Sequence, residues 1–136
     1  MIYQAKILGA SAILLICSIL NENDILRYIR ICDKLGLSAL VEAHDENEIR
    51  MALNVGARII GVNNRNLKNF TVDTGNSRRL RSLVPNNVIF VSESGVQTAE
   101  DIRILRDSGV NAVLIGETLM RAENKREKLA ELKSNA

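Results

Sequence analysis

The segment FVSESGV, Phe90 to Val96, runs three apolar residues into a serine, a glutamate, a second serine and a glycine. Phe and Val suit a dry sheet interior, yet the run closes on hydroxyls and a carboxylate with no turn residue between. A strand that ends this way ends on something polar. Whether its neighbours end alike decides the fold.

Four further segments share a layout: LGASAILLI (8–16), LGLSALVEA (35–43), VGARIIGV (55–62) and SGVNAVLIG (108–116). Each places a glycine (Gly9, Gly36, Gly56, Gly109) before a run rich in Ile, Val and Leu. Glycine just past a helix is the expected left-handed cap, since it carries no Cβ. The runs are apolar at consecutive positions, which suits strands covered on both faces, as in a parallel sheet. With the segment around Phe90, which follows Pro85 and the turn pair Asn86-Asn87, they predict strands near 12–16, 39–43, 58–62, 88–92 and 112–116.

Helical patterns fall between. Asn21 to Leu35 carries Ile25, Ile29, Cys32 and Leu35 at helical spacing. Asp45 with Glu48 three residues on reads as a capping box. Thr98 opens a third helix, with Ile102 and Leu105, that Gly109 closes. The terminal ENKREKLAELK reads as an amphipathic helix with Leu129 and Leu132 turned inward. Five βα units in one domain, 1–136, imply a parallel sheet with right-handed crossovers.

Two architectures fit: a doubly wound open sheet and part of a (β/α)8 barrel. In both, ligands gather at the carboxyl ends of strands, but the open sheet concentrates its site at one switch point. Here the ends read LVEAH with Glu42 and His44, GVNNR with Asn63, Asn64 and Arg65, VSESG with Glu93, Ser94 and Gly95, and LIGET with Gly116 and Glu117. Polar groups on four successive ends favour a shared barrel mouth. The glycines at Gly95 and Gly116 let backbone amides approach an anion, and the loops after the last two strands are where such barrels hold phosphate.

Composition narrows the partners. The chain has 136 residues, 46% apolar and 25% charged, with a net charge of +2 and only four aromatics. No basic block exists, so nucleic acid is not an expected partner. The longest apolar run, Ala12 to Cys17, is too short to cross a bilayer, and the N-terminus lacks a signal-peptide layout. Cys17 and Cys32 lie in apolar runs without metal spacing, so buried free thiols, no metal and a cytoplasmic setting are expected. His44 has no partner at nucleophile or metal spacing and reads as structural, while Arg78, Arg79 and Arg81 read as a solvated helix face. Asn63-Asn64 alone could be a turn pair; the nearby Arg65 favours a substrate role for Asn63.

The motifs LGASAILLI, LVEAHDENE, IIGVNNRNLKNFTVD, VSESGV and NAVLIGETLMRAENK, in this order, resemble indole-3-glycerol-phosphate synthase of tryptophan biosynthesis. The resemblance runs nearly end to end. It implies a (β/α)8 barrel whose usual length is about 250 residues, here represented by its fourth to eighth strands, the chain starting within the helix after the third. The family closes an indole ring from a carboxyphenylamino-deoxyribulose phosphate, losing carbon dioxide and water, without metal or organic cofactor. By that resemblance Glu42 is a general base, Asn63 positions the substrate, Arg65 meets its anionic groups and Glu93 its hydroxyls. Ser94, Gly95, Gly116 and Glu117 form the phosphate loops. Some relatives carry Ser at the Glu117 position, so its side chain is expected to turn outward and its N–H inward. The family also uses a lysine from the third strand, and a lysine and a glutamate from the first; none has a counterpart here. The isolated chain is therefore expected to turn over negligibly. Its unpaired edges and exposed barrel face are expected to drive self-association or pairing with the missing strands. A silent phosphate-binding or self-assembling half-barrel, or another phosphate barrel such as phosphoribosylanthranilate isomerase, is the alternative.

Overall fold

The computed structural model describes residues 1–66 and 70–134; Leu67, Lys68 and Asn69 of the IIGVNNRNLKNFTVD motif lie outside the described residues. Five strands form one sheet: β1 (Ala12–Ile16), β2 (Ser38–Ala43), β3 (Ile59–Asn63), β4 (Ile89–Glu93) and β5 (Ala112–Leu114). All neighbouring pairs are parallel and the order is β1-β2-β3-β4-β5. An order that never reverses has no switch point, and right-handed crossovers then lay every helix on the same face. The sheet is an incomplete (β/α)8-type barrel.

The helices are α1 (Ile2–Ile7), α2 (Glu22–Leu35), α3 (Glu46–Asn54), α4 (Asn76–Leu80), α5 (Ala99–Asp107), α6 (Glu117–Arg121) and α7 (Lys125–Lys133), with a 3-10 turn at Arg81–Leu83. Their starts follow the sequence signals. Asn21 accepts from the Asp24 N–H, and Thr98 and Asp101 close a complete capping box. Asp45 accepts from the Glu48 N–H at 3.0 Å, but the Glu48 carboxylate reaches past Asp45 to the His44 N–H at 2.7 Å. Gly36 caps α2 in the left-handed conformation, at φ 64°.

Strand alternation gives the sheet two unlike faces. Leu15, Val41, Ile60, Val62 and Phe90 turn toward the helices and pack against Ile25, Ile29, Cys32, Ile49 and Ala52. A second cluster, Val96, Ile102, Leu105 and Leu132, joins β5 and the loop after β4 to α5 and α7. The other face is only partly covered. Leu14, Ile89 and Leu114 stand on it, 45–48% exposed, and among the described residues only one edge of β1 and one of β5 is paired.

Two expectations are corrected. Leu129 is exposed, and Leu132 alone of that pair is buried. The Lys-rich α7 offers one apolar contact to α5 instead of a stripe. Arg81 does not belong to a solvated face: it donates to the Gly109 and Val84 carbonyls, both at 2.6 Å, and its guanidinium lies 5.5 Å from the Phe90 ring centre. It pins the chain ahead of β4 to the turn ahead of β5. Arg79 is exposed as expected and pairs with Asp73.

Candidate active site

Parallel register fixes which strand ends meet. Glu42 stands opposite Gly61, and Asn63 opposite Glu93. Side chains two apart on one strand share a face, so Glu42, Gly61, Asn63 and Glu93 all point to the concave side. All three polar side chains are buried, Glu93 to 3% exposure, although the face around them is open. Sequence reading brought these three together, and the structure places them side by side.

Glu93 is the unusual one. A Cβ built on Gly61 would stand 1.8 Å from Glu93 Oε1, so the carboxyl lies directly over the β3 backbone. That Oε1 atom is buried and has no donor among the described residues. Burial pushes the Glu93 pKa up to about 8, helped by repulsion from Glu42 and by a hydrogen bond between the two carboxyl groups. The direction favours a proton kept by the Glu93 side of the carboxyl pair above the ordinary carboxylate range. Asn63 accepts the Arg65 N–H at 2.9 Å, which orients both its amide and the chain that follows.

That chain folds back through an antiparallel bridge from Arg65 to Val72, setting Arg65 beside an open cavity of about 950 Å³. Ser94, Gly95, Gly116, Glu117 and Arg121 share its lining. Ser94 and Gly95 both adopt left-handed backbone, at φ 65° and 82°. A Cβ on Gly95 would meet Val72 Cγ1 at 2.8 Å, so the site needs glycine for space as well as conformation. A non-glycine residue in this conformation marks strain held by its surroundings, here at the mouth of a cavity. Gly116 faces open space and precedes α6 without a side-chain cap. The Thr118 hydroxyl donates to the Val96 carbonyl at 2.5 Å and ties the two glycine loops together.

Glu117 differs from expectation. Its carboxylate pairs with Arg65 and, at 2.9 Å, with Arg121, instead of simply turning outward. The Arg65 guanidinium is the main cause that holds its carboxyl below the usual range. His44 is structural: Nδ1 bonds the Asn63 carbonyl at 2.9 Å, and its own carbonyl accepts from Asn76. Burial, then the charges of Glu48, Glu42 and Asp45, push the Cys17 thiol up to about 12, so it stays protonated and inert.

Sequence reasoning missed a second polar cluster, on the helix side of the same strand ends. The Asn64 amide donates to the Ser92 hydroxyl and the Ser94 carbonyl, and its oxygen accepts from the Ser77 N–H and hydroxyl. Ser77 and Ser92 bond each other at 2.9 Å. Gly61 was missed too, although an isolated glycine within a strand signals close approach of another group.

With this geometry in view, the comparisons with known proteins are decisive. A family model for indole-3-glycerol phosphate synthase matches residues 1–132. The chain belongs to that family. It is 57% identical over 135 residues to the indole-3-glycerol phosphate synthase of Ruminiclostridium cellulolyticum, covering 99% of this chain and 52% of that protein. It is 58% identical over 133 residues to the enzyme of the same name in Lachnoclostridium phytofermentans, covering 98% and 49%. The chain thus spans about half the length of the curated relatives it matches. Among solved structures, thiamine phosphate pyrophosphorylase from Pyrococcus furiosus superposes with a TM-score of 0.77 at 18% identity, covering 98% of this chain and 63% of that one. 3-Hexulose-6-phosphate synthase from Salmonella typhimurium gives 0.72 at 14%, covering 97% and 65%. At those identities the likeness is one of fold. No helix among the described residues is long and apolar enough to cross a membrane.

Proposed function

We propose that this chain forms the substrate-binding and base-bearing half of an indole-3-glycerol-phosphate synthase, a cytoplasmic carbon–carbon lyase of tryptophan biosynthesis. The observation that carries the reading is that Glu42, Asn63 and Glu93 meet on one concave rim, beside a cavity lined by Arg65 and the Ser94-Gly95 and Gly116-Glu117 loops. The substrate is 1-(2-carboxyphenylamino)-1-deoxyribulose 5-phosphate. Its phosphate rests on the amides of the two glycine loops, with open space beside Gly116. Arg65 exchanges Glu117 for an anionic group of the substrate. Glu42 acts as general base in the dehydration steps, Asn63 orients the substrate, and the protonated Glu93 donates to its hydroxyls. No metal or organic cofactor enters.

A general acid contributes about 10²–10⁴ in rate, and the family's lysines fall outside this chain, so the chain alone binds but does not turn over. Its partly covered face, with Leu14, Ile89 and Leu114, is closed in the working protein by further strands, and by a second copy when the chain is alone. Sedimentation of the purified chain then gives a self-associated species; a well-folded strict monomer contradicts this part. For the catalytic part, the substrate is incubated with this chain, with the amino-terminal half of the Ruminiclostridium cellulolyticum relative, and with both. Indoleglycerol fluorescence develops only in the mixture, and Glu42→Gln abolishes it. A mixture that stays silent although the two halves copurify contradicts the reading.

A further inference from the structure

Every side chain of the rim has been given a task, yet the residue at its centre has none. We propose that Gly61 is a positioning residue: its missing side chain is the seat that holds the Glu93 carboxyl over β3 and against Glu42. This rests on the active-site reading above and deepens it, because it names what sets the place of the proton-bearing group.

The geometry is specific. Gly61 has Glu42 across from it on β2 and lies two residues before Asn63, which stands opposite Glu93 on β4. It faces Glu42 on one side and Val91 on the other, and the Glu93 carboxyl leans back over it from two residues along β4. An added methyl would fall 1.8 Å from Glu93 Oε1 and 2.9 Å from its Cδ, with Leu40 Cδ1 at 3.2 Å. The first two distances cannot be accommodated, so the carboxyl must swing away from the strand. The third involves the free end of a flexible side chain, which can yield. Gly61 is not held at positive φ, so the backbone itself places no demand for glycine here. Nor does a turn or helix cap. What remains is room for the carboxyl, which the seat holds beside Glu42 with its buried Oε1 unpaired among the described residues. A carboxyl kept buried over an apolar strand and beside a second carboxylate holds its proton more tightly and stays within reach of a substrate hydroxyl. Displaced toward the open face, it would find water and ionise.

The test is a double-mutant cycle on this chain, with Gly61→Ala, Glu93→Ala and the pair. Gly61→Ala alone lowers the melting midpoint by about 5 °C or more; in the Glu93→Ala background it costs nothing or stabilises, since alanine restricts the unfolded chain. If Gly61→Ala fails to fold, the pair still folds. Side-chain carbon-13 titration supplies a readout that a packing role would not move: the raised Glu93 midpoint falls toward the ordinary range in Gly61→Ala. Equal cost in both backgrounds, failure of the pair to fold, or an unmoved Glu93 midpoint overturns the proposal. None of these measurements involves turnover, so the enzymatic reading can stand or fall separately in the mixing assay.

Discussion

Asn63 and Asn64 are neighbours in sequence, and they enter two polar clusters of opposite character. Asn64 turns toward the helices and joins Ser77 and Ser92 in a network in which the amide oxygen accepts twice and the amide nitrogen donates twice. Asn63 turns toward the concave face and joins Glu42 and Glu93, where Glu93 Oε1 has no partner. Both clusters are buried and both sit at strand ends. One is finished by the fold; the other leaves a buried acceptor atom unpaired among the described residues. Buried polar groups are normally satisfied, so an orphan acceptor beside a second carboxylate separates a candidate site from scaffold more sharply than residue type does.

That contrast can be broken from either side. The largest effect is expected on the finished side: Asn64→Ala strands the Ser77 N–H and the Ser94 carbonyl without replacing either partner. It should cost about 2–3 kcal/mol in denaturant unfolding. A loss under about 1 kcal/mol would mean water readily takes the place of the amide.

The unfinished side should respond in the opposite direction. The Glu93 carboxyl is raised in the folded chain from 4.5 to about 8. Between those values the unfolded chain has released its proton and the folded chain keeps it. The contribution to stability is thus fully present below about 4.5 and is lost as pH rises toward 8. Glu93→Gln, neutral at every pH, should flatten that decline and make the chain more stable than wild type at pH 8, by on the order of 1–3 kcal/mol. Parallel pH–stability curves for the two proteins would show that Glu93 ionises normally. In the mixing assay the same substitution should lower turnover, a cost in function set against a gain in stability.

Arg81 sharpens the scaffold side at smaller scale. Arg81→Ala loses bonds to two carbonyls and the contact over Phe90, and should cost about 1–2 kcal/mol in thermal unfolding. Smallest of all, Arg103→Ala on the exposed face of α5 removes pairs with Glu100 and Asp107 and should leave the melting point unchanged.

Much of this was legible in the sequence for physical reasons. Glycine before an apolar run marked the βα junctions, because left-handed caps and doubly covered strands constrain composition strongly. Polar residues on successive strand ends pointed to the barrel, and a sequential sheet order agrees. Glu42, Asn63, Glu93, Gly95 and Gly116 were visible because polar and glycine residues are out of place at the end of apolar strands. The Asn64 network was not, since Ser77 reaches it across a loop and a short helix and Asn64 itself resembles a turn residue. Arg81 looked solvated because its partners are carbonyls, which leave no trace in side-chain patterns. Leu129 was misplaced because α7 turns a single leucine inward, and spacing alone could not choose between two. The seat at Gly61 depends on how one carboxyl leans across a neighbouring strand, which register decides and spacing does not.

The difference between the two clusters is tested most directly by carbon-13 titration of the glutamate carboxyl groups in this chain. One glutamate, Glu93, should titrate near pH 8 and shift downward in Glu42→Gln, which removes the opposing charge. If every glutamate titrated within the ordinary range of about 4–5, the concave rim would hold no proton at neutral pH and the distinction drawn between the two sides would be contradicted.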